Sequence, residues 1–316
     1  MSGKGIEGDT QAMAAARGGL LATALSFLIW GLFPLYLKLL HAVPVFQVMS
    51  HRVVWCMVFV FGWLAARGQL VEVWRALRNP KTAARLLLSA CFISCNWATY
   101  VWAAGNDHIV DASLGYFINP LVSVLLGVFL LSEKLNRRQW ASVAMAALGV
   151  LWLTLQLGRP PWISLLLAMS FGLYGFVRKT VVVESVTGLA VETLLVLPFC
   201  LAWLIYESTA GHSAFGHMGL GIDALLVLSG LVTALPLALF SYGVRRIPLT
   251  TVGLLQYVTP SMQLIIAVAV FHEPFTSVQL VGFGCIWVAL VIYALDGVLR
   301  GRAPQPANGV RAAEAS

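Results

Sequence analysis

Charge is what this chain has least of. Asp, Glu, Lys and Arg together make up 10% of its 316 residues, well under the roughly 25% usual in a soluble domain. So little polar surface excludes a sizeable water-exposed catalytic or binding domain. The formal net charge is +7, but the basic residues stand in short stretches beside apolar runs. There they orient membrane insertion rather than bind a polyanion, which excludes nucleic acid as a partner. Cysteine is sparse as well: Cys56, Cys91, Cys95, Cys200 and Cys285 all fall inside apolar runs. That excludes a secreted-type disulfide framework and a zinc cage, and leaves them as small core residues. The signatures of catalysis are missing too. There is no His-Glu-x-x-His pair, no Gly-x-Ser-x-Gly elbow and no phosphate-binding glycine loop, so no enzyme, nucleotide-driven pump, metal or cofactor is expected.

What the chain has is apolar length. Its apolar share is 59% and its mean hydropathy +0.86. A hydrocarbon core about 30 Å thick takes about 20 apolar helical residues to cross. Apolar runs between charged or turn-forming residues give spans at 19–40, 44–66, 86–104, 112–131 and 139–157, then 161–177, 188–206, 224–244, 248–271 and 277–299. The first run has no small-residue cleavage site and is read as a retained helix. Residues 1–17 and 301–316 are expected to be disordered cytoplasmic segments.

Basic residues test this count, because cytoplasmic loops are enriched in them. With ten spans, seventeen of the twenty Lys and Arg residues fall on one side; only Lys38 and Arg159 fall on the other, and Arg52 lies within a span. Both termini are therefore expected in the cytoplasm.

Sliding the chain on itself by about 140 residues superposes the spans and several polar details. Trp30-Gly31-Leu32 through Lys38 lies over Phe171-Gly172-Leu173 through Lys179, Pro120 over Pro260, Glu133 over Glu273 and Gln139 over Gln279. Each half is one copy of a duplicated unit. Because five spans is an odd number, the second copy enters from the opposite face. The expected fold is an all-α integral membrane protein of ten helices in two inverted five-helix repeats, 18–158 and 159–300, an architecture common among secondary transporters. Asn136 with Gln139 and Thr276 with Gln279 have capping-box spacing. Glu133 and Glu273, beside them, are read as capping or dipole residues rather than proton sites.

With the repeat in hand, the chain resembles the drug/metabolite transporter superfamily, EamA type, and most closely its RarD-type branch of chloramphenicol-sensitivity permeases. The residues that carry the likeness are Trp30-Gly31 with Pro34, Tyr36 and Lys38; His51-Arg52 with Trp55; Asn96-Trp97 with Tyr100 and Trp102; and the run from Ala112 to Pro120. Glu133, Gln139-Trp140 and Phe171-Gly172-Leu173-Tyr174-Gly175 with Arg178-Lys179 extend it. The likeness covers Gly19 to about Arg300 and is looser in the second half. It implies a bacterial inner-membrane permease with a central cavity lined by spans one, three, four, six, eight and nine.

Polar groups inside a membrane are costly, so those that persist face a cavity or a partner. Amphipathic aromatics and amides are the cavity candidates: Trp30, Tyr36, Asn96, Trp97, Tyr100, Tyr116, Asn119, Tyr174, Tyr242, Gln256 and Tyr257. Spacing of i, i+4 for Asn96 and Tyr100, and of i, i+3 for Tyr116 and Asn119, gives each pair one helix face. The bland alternative assigns the Tyr and Trp residues to interfacial belts and packing. Among ionisable groups, Arg52 either anchors an anionic group or caps loop carbonyls. His51 or Glu192 either carries a proton or, for Glu192, snorkels to the interface. At 1.5 Å per residue, Arg52 and Glu192 sit roughly 12 Å apart in depth, too far to pair with each other. Pro120 and Pro260 each remove an amide donor several residues inside a span, as transporters do at binding sites or as packing kinks do. Gly127, Gly149, Gly282 and Gly284 are expected to admit close helix packing.

The function expected is secondary transport of a small amphipathic metabolite, amino acid or drug-like compound by alternating access, with membrane lipid and a proton as the other partners. A membrane-embedded enzyme and a non-transporting scaffold or sensor are the rivals.

Overall fold

The computed structural model describes residues 3–106, 108–156, 158, 160–272 and 275–299. Its helices are α1 (Gly3–Leu39), α2 (Val45–Ala66), α3 (Leu70–Arg78), α4 (Pro80–Gly105), α5 (Ile109–Leu130) and α6 (Arg137–Gln156), then α7 (Trp162–Thr180), α8 (Ser185–Thr209), α9 (Leu220–Val244), α10 (Leu249–Gln256), α11 (Val258–Ala269) and α12 (Ser277–Leu299). Among the described residues nine segments are long and apolar enough to cross a membrane, α10 and α11 counting as one. The tenth span is α7, whose last turn carries Arg178 and Lys179 and is correspondingly less apolar. The chain is therefore an all-α membrane protein of ten spans. α3 is a short extra helix between the second and third.

The inverted repeat is visible in how the spans pack. The first span lies on the eighth as the sixth lies on the third; the first lies on the ninth as the sixth lies on the fourth; the second lies on the eighth as the seventh lies on the third. The second and seventh spans, and the fifth and tenth, pair with each other and are their own counterparts. Single contacts repeat as well. A Cβ on Gly31 would come 2.7 Å from Met262, and one on Gly172 would come 2.7 Å from Val122. Both contacts join the first span of one repeat to the fourth span of the other. Small residues at these crossings let backbones approach, which is how helices gain packing energy where lipid offers no hydrophobic drive.

Helix starts follow the capping chemistry of the sequence. Asn136 accepts from the amide of Gln139 at 3.0 Å while Gln139 accepts from the amide of Asn136 at 3.0 Å. Thr276 and Gln279 repeat the exchange at 3.3 and 2.9 Å. Glu133 also caps, but in a different place from its own neighbourhood: its two oxygens accept from the amides of Leu249 and Thr250 at 2.7 and 2.8 Å, the start of α10. Glu273 lies outside the described residues.

Four expectations change. α1 runs back to Gly3 rather than starting near Gly19; the run Gln11 to Ala16 is rich in alanine, and good helix formers propagate the span outward. The tail from Gly301 lies outside the described residues. Cys91 and Cys95 are exposed on the outside of α4 rather than core residues, because one helix face carries both. Gly284 has open space where its Cβ would stand, unlike Gly149 and Gly282 at the seam between α6 and α12. Finally, the two prolines differ. α5 continues through Pro120, whereas the span with Pro260 breaks at Tyr257 into α10 and α11.

Candidate functional site

A cavity of about 750 Å3 lies where the repeats meet. Its wall begins at mid-depth with Phe27, Ile93, Phe171 and Leu237, and reaches Leu37, Gln156, Phe271 and Gln279 at helix ends. Those ends are opposite the ones that carry most of the basic residues. α1, α4, α5 and the α10–α11 span supply most of the lining; α7 and α9, also among the six spans that the likeness implied, give only Phe171 and Leu237. α2 adds Met49 and Arg52, α6 adds Leu153 and Gln156, and α12 adds Val278, Gln279 and Phe283.

Of the eleven aromatic and amide candidates, seven line this cavity: Trp30, Asn96, Trp97, Tyr100, Tyr116, Asn119 and Gln256. Asn96 is held in place by its Nδ2, which donates to the Leu167 carbonyl at 2.9 Å and to Ser170 Oγ at 3.1 Å. The rings of Tyr100 and Tyr116 meet at 6.3 Å across α4 and α5. The side-chain oxygens of Asn119 and Gln256 are buried without a hydrogen-bond partner.

The other four lie elsewhere, each for a local reason. Tyr36 donates to the Leu225 carbonyl at 2.5 Å. Tyr174 is sealed in the core, stacked on Phe240 and donating to Glu192 at 3.4 Å. Tyr242 is exposed beneath the guanidinium of Arg246, 3.4 Å from its ring centre. Tyr257 is packed at the α10–α11 break, its hydroxyl without a partner. Pro260 lines the cavity and Pro120 does not.

Arg52 is the ionisable centre of the wall. It is 8% exposed. Its Nε donates to Thr233 Oγ1 at 2.9 Å and Nη1 donates to Met49 Sδ at 3.1 Å, while the guanidinium lies 4.6 Å from the ring centre of Phe33 and 5.7 Å from that of Trp97. These contacts are with side chains inside the bundle; among the described residues no loop carbonyl accepts from Arg52, as the interfacial capping alternative would require. Its position follows from α2: Pro44 ends the preceding loop and fixes the helix start, and Arg52 then falls two turns down. Phe33 and Met49, which hold the guanidinium, carry no polar signal in the sequence.

His51 and Glu192 stand behind the wall. His51 stacks on Phe215 with ring centres 5.2 Å apart. Glu192 does not snorkel: it is buried against Arg178, with Oε1 3.5 Å from Nη1. It also accepts from Ser89 at 2.5 Å. Arg178 is only 1% exposed, and donates further to Ser241 Oγ at 3.1 Å and the Ser185 carbonyl at 3.0 Å. This residue counts among the loop charges in the sequence, yet its side chain turns back into the bundle.

These groups close the basic end. Directly beneath the cavity, Phe27, Trp30, Phe171, Tyr174 and Phe240 form one aromatic cluster, with neighbouring ring centres 5.3 to 6.0 Å apart. Below it, Arg178 and Glu192 tie α4, α7, α8 and α9. Lys179 donates to the carbonyls of Val244 and Ile247 at 3.0 and 2.6 Å, tying the end of α7 to the turn after α9. The site is thus an amphipathic chamber that is open towards one face, sealed towards the other and marked, among the described residues, by a single guanidinium.

Known proteins agree with this architecture. The model of the EamA-like transporter family matches the chain twice, at residues 17–155 and 161–295. The uncharacterized transporter YojE of Bacillus subtilis is 44% identical over 294 residues, covering 92% of this chain and 98% of that protein. Protein RarD of Salmonella typhi is 40% identical over 286 residues, covering 90% of this chain and 97% of that protein. A solved crystal structure with 18% sequence identity matches with a TM-score of 0.68 over 88% of this chain and 97% of its own, which shows the shared fold. Two matches to one family model, on two inverted halves around a common chamber, place this multi-pass bacterial membrane protein in the EamA-like transporter family.

Proposed function

We propose that the protein is a secondary transporter of the inner membrane that moves a small amphipathic solute by alternating access. The repeats, 18–158 and 159–300, are its moving units, and the basic end and both termini face the cytoplasm. One observation carries the reading: the chamber at the repeat interface reaches one face and is closed from the other by packed rings and a buried ion pair. Such a chamber is half of an access cycle, and inverted repeats supply the other half by exchanging their conformations. With Lys and Arg concentrated at the sealed end, the arrangement corresponds to an outward-facing state.

The lining supports an amphipathic cargo. Rings offer large contact area, while Asn96, Gln256 and Gln263 offer hydrogen bonds without charge. His51 and Glu192 lie behind the wall, so a coupling proton on either would act through residues between it and the cargo.

Flux through purified protein in proteoliposomes tests the proposal. Time-dependent uptake of at least one small amphipathic compound, saturable and abolished in vesicles without protein, is expected, and an imposed pH gradient reads proton coupling directly. Compounds bound or chemically altered without net movement would instead favour a sensor or an enzyme.

A further inference from the structure

Among the described residues, Arg52 is the only Lys, Arg, His, Asp or Glu that lines the chamber, and no carboxylate among them pairs with it. The other buried or half-buried charges near the bundle core are satisfied elsewhere. Glu192 serves Arg178, Glu133 lies 4.0 Å from Lys179 and caps α10, Asp111 faces His108, and Asp296 bonds Asn136. None of these carboxylates belongs to the chamber wall. Arg52 spends one N–H on a hydroxyl and one on a thioether, and its remaining N–H groups have no acceptor among the described residues. A guanidinium largely removed from bulk water, with two neutral acceptors and the rings of Phe33 and Trp97 as partners, has only part of its desolvation cost offset. An anion that enters the chamber removes that cost and gains charge-assisted, fork-shaped hydrogen bonds.

Resting on the transport reading, we propose that the cargo is a monovalent organic anion, its carboxylate paired with Arg52 and its apolar or aromatic body laid along Trp30, Trp97 and Phe171. One fixed positive charge balances one negative charge. A cation meets Arg52 with nothing to offset the repulsion. A zwitterion brings an ammonium for which the described wall has no carboxylate, only amide and hydroxyl oxygens. A neutral compound leaves the guanidinium unpaired.

The experiment holds the body constant and varies the charge. Binding of 3-phenylpropionate, 3-phenylpropionamide, 3-phenylpropylamine and phenylalanine is measured by calorimetry on purified protein in nanodiscs at neutral pH. The expected order has the carboxylate roughly 10- to 100-fold tighter than the amide, the value of a charge-assisted hydrogen bond, with the amine weakest and phenylalanine below the carboxylate. Arg52→Gln should erase the difference between carboxylate and amide, and Arg52→Lys should keep part of it. The wild-type series decides the matter even if either variant fails to fold. Equal affinities, preference for the amine or phenylalanine, absence of carboxylate binding at millimolar concentration, or a preference that survives Arg52→Gln each overturn the proposal. Its failure is separable from failure of the transport reading. Flux of a neutral or cationic compound without carboxylate preference would sink the anion site and leave transport standing. Selective carboxylate binding, with no flux of any compound tried in proteoliposomes, would do the reverse.

Discussion

Arg178 and Glu192 face each other across the turn between α7 and α8, with Nη1 3.5 Å from Oε1 and both side chains shut away from solvent. Removing one partner of a buried pair strands the other, and the loss is commonly about 3–5 kcal/mol. Glu192→Ala should therefore lower thermal stability of the detergent-solubilised protein strongly. Glu192→Gln, which can still meet Ser89 and Tyr174, should cost less, and the double change of Glu192→Met with Arg178→Met should recover part of the loss. Equal stability of Glu192→Ala and the parent protein would rule out a structural ion pair here.

Gly230 and Gly284 make a matched pair for packing. A Cβ on Gly230 would stand 2.3 Å from the backbone carbon of Trp55 and 2.5 Å from the amide nitrogen of Cys56, so α2 and α9 must part to admit it. Overpacking of this kind costs about 1–3 kcal/mol. Gly230→Ala is expected to lower the unfolding temperature, while Gly284→Ala, with nothing within 4 Å of its Cβ, is expected to leave it unchanged or raise it. Similar behaviour of the two variants in the same thermal assay contradicts the close α2–α9 crossing.

Glu133 holds the first amides of α10 from outside that helix. Loss of a helix cap costs roughly 0.5–2 kcal/mol, and here the loss is local. Hydrogen exchange at Leu249 and Thr250 should quicken in Glu133→Ala, with exchange in α12 unaltered. Unchanged protection at those two amides would mean that another group caps α10.

The fold was legible in the sequence because its determinants are periodic or additive. Apolar length marks the spans, loop charge numbers them, and the repeat is carried by residues such as Gly31 and Gly172, whose contacts with Met262 and Val122 are then related by an offset of about 140 residues. The cavity was legible in part. Asn96, Asn119 and Gln256 stand out because an amide in lipid needs a reason, and all three line the chamber. Tyrosines were poorly discriminated: a phenol suits a cavity, an interface or a core equally, and Tyr36, Tyr174 and Tyr242 each found a partner away from the chamber. Arg178 escaped for a different reason. A basic residue near a helix end reads as a loop charge, and only the fold shows its long side chain reaching back to Glu192.

Pro260 and Pro120 occupy matching positions in the two repeats but have unequal consequences. A proline inside a helix lacks the N–H that would bond the carbonyl four residues earlier, and its ring crowds that carbonyl. For Pro260 that residue is Gln256, the last of α10, and the helix resumes only after Tyr257. Gln256 faces the chamber, so the break lies beside a cavity, where irregular backbone is tolerated in a membrane. For Pro120 the corresponding residue is Tyr116, and α5 runs on without interruption. Pro260→Ala should let α10 and α11 join and should slow solute flux in proteoliposomes more than Pro120→Ala does, both proteins remaining folded. Thiol labelling of single cysteines placed at the two ends of the chamber would show whether the slower step is the change of access. Equal flux in the two variants would make both prolines packing kinks, and the broken span would then have no separate part in transport.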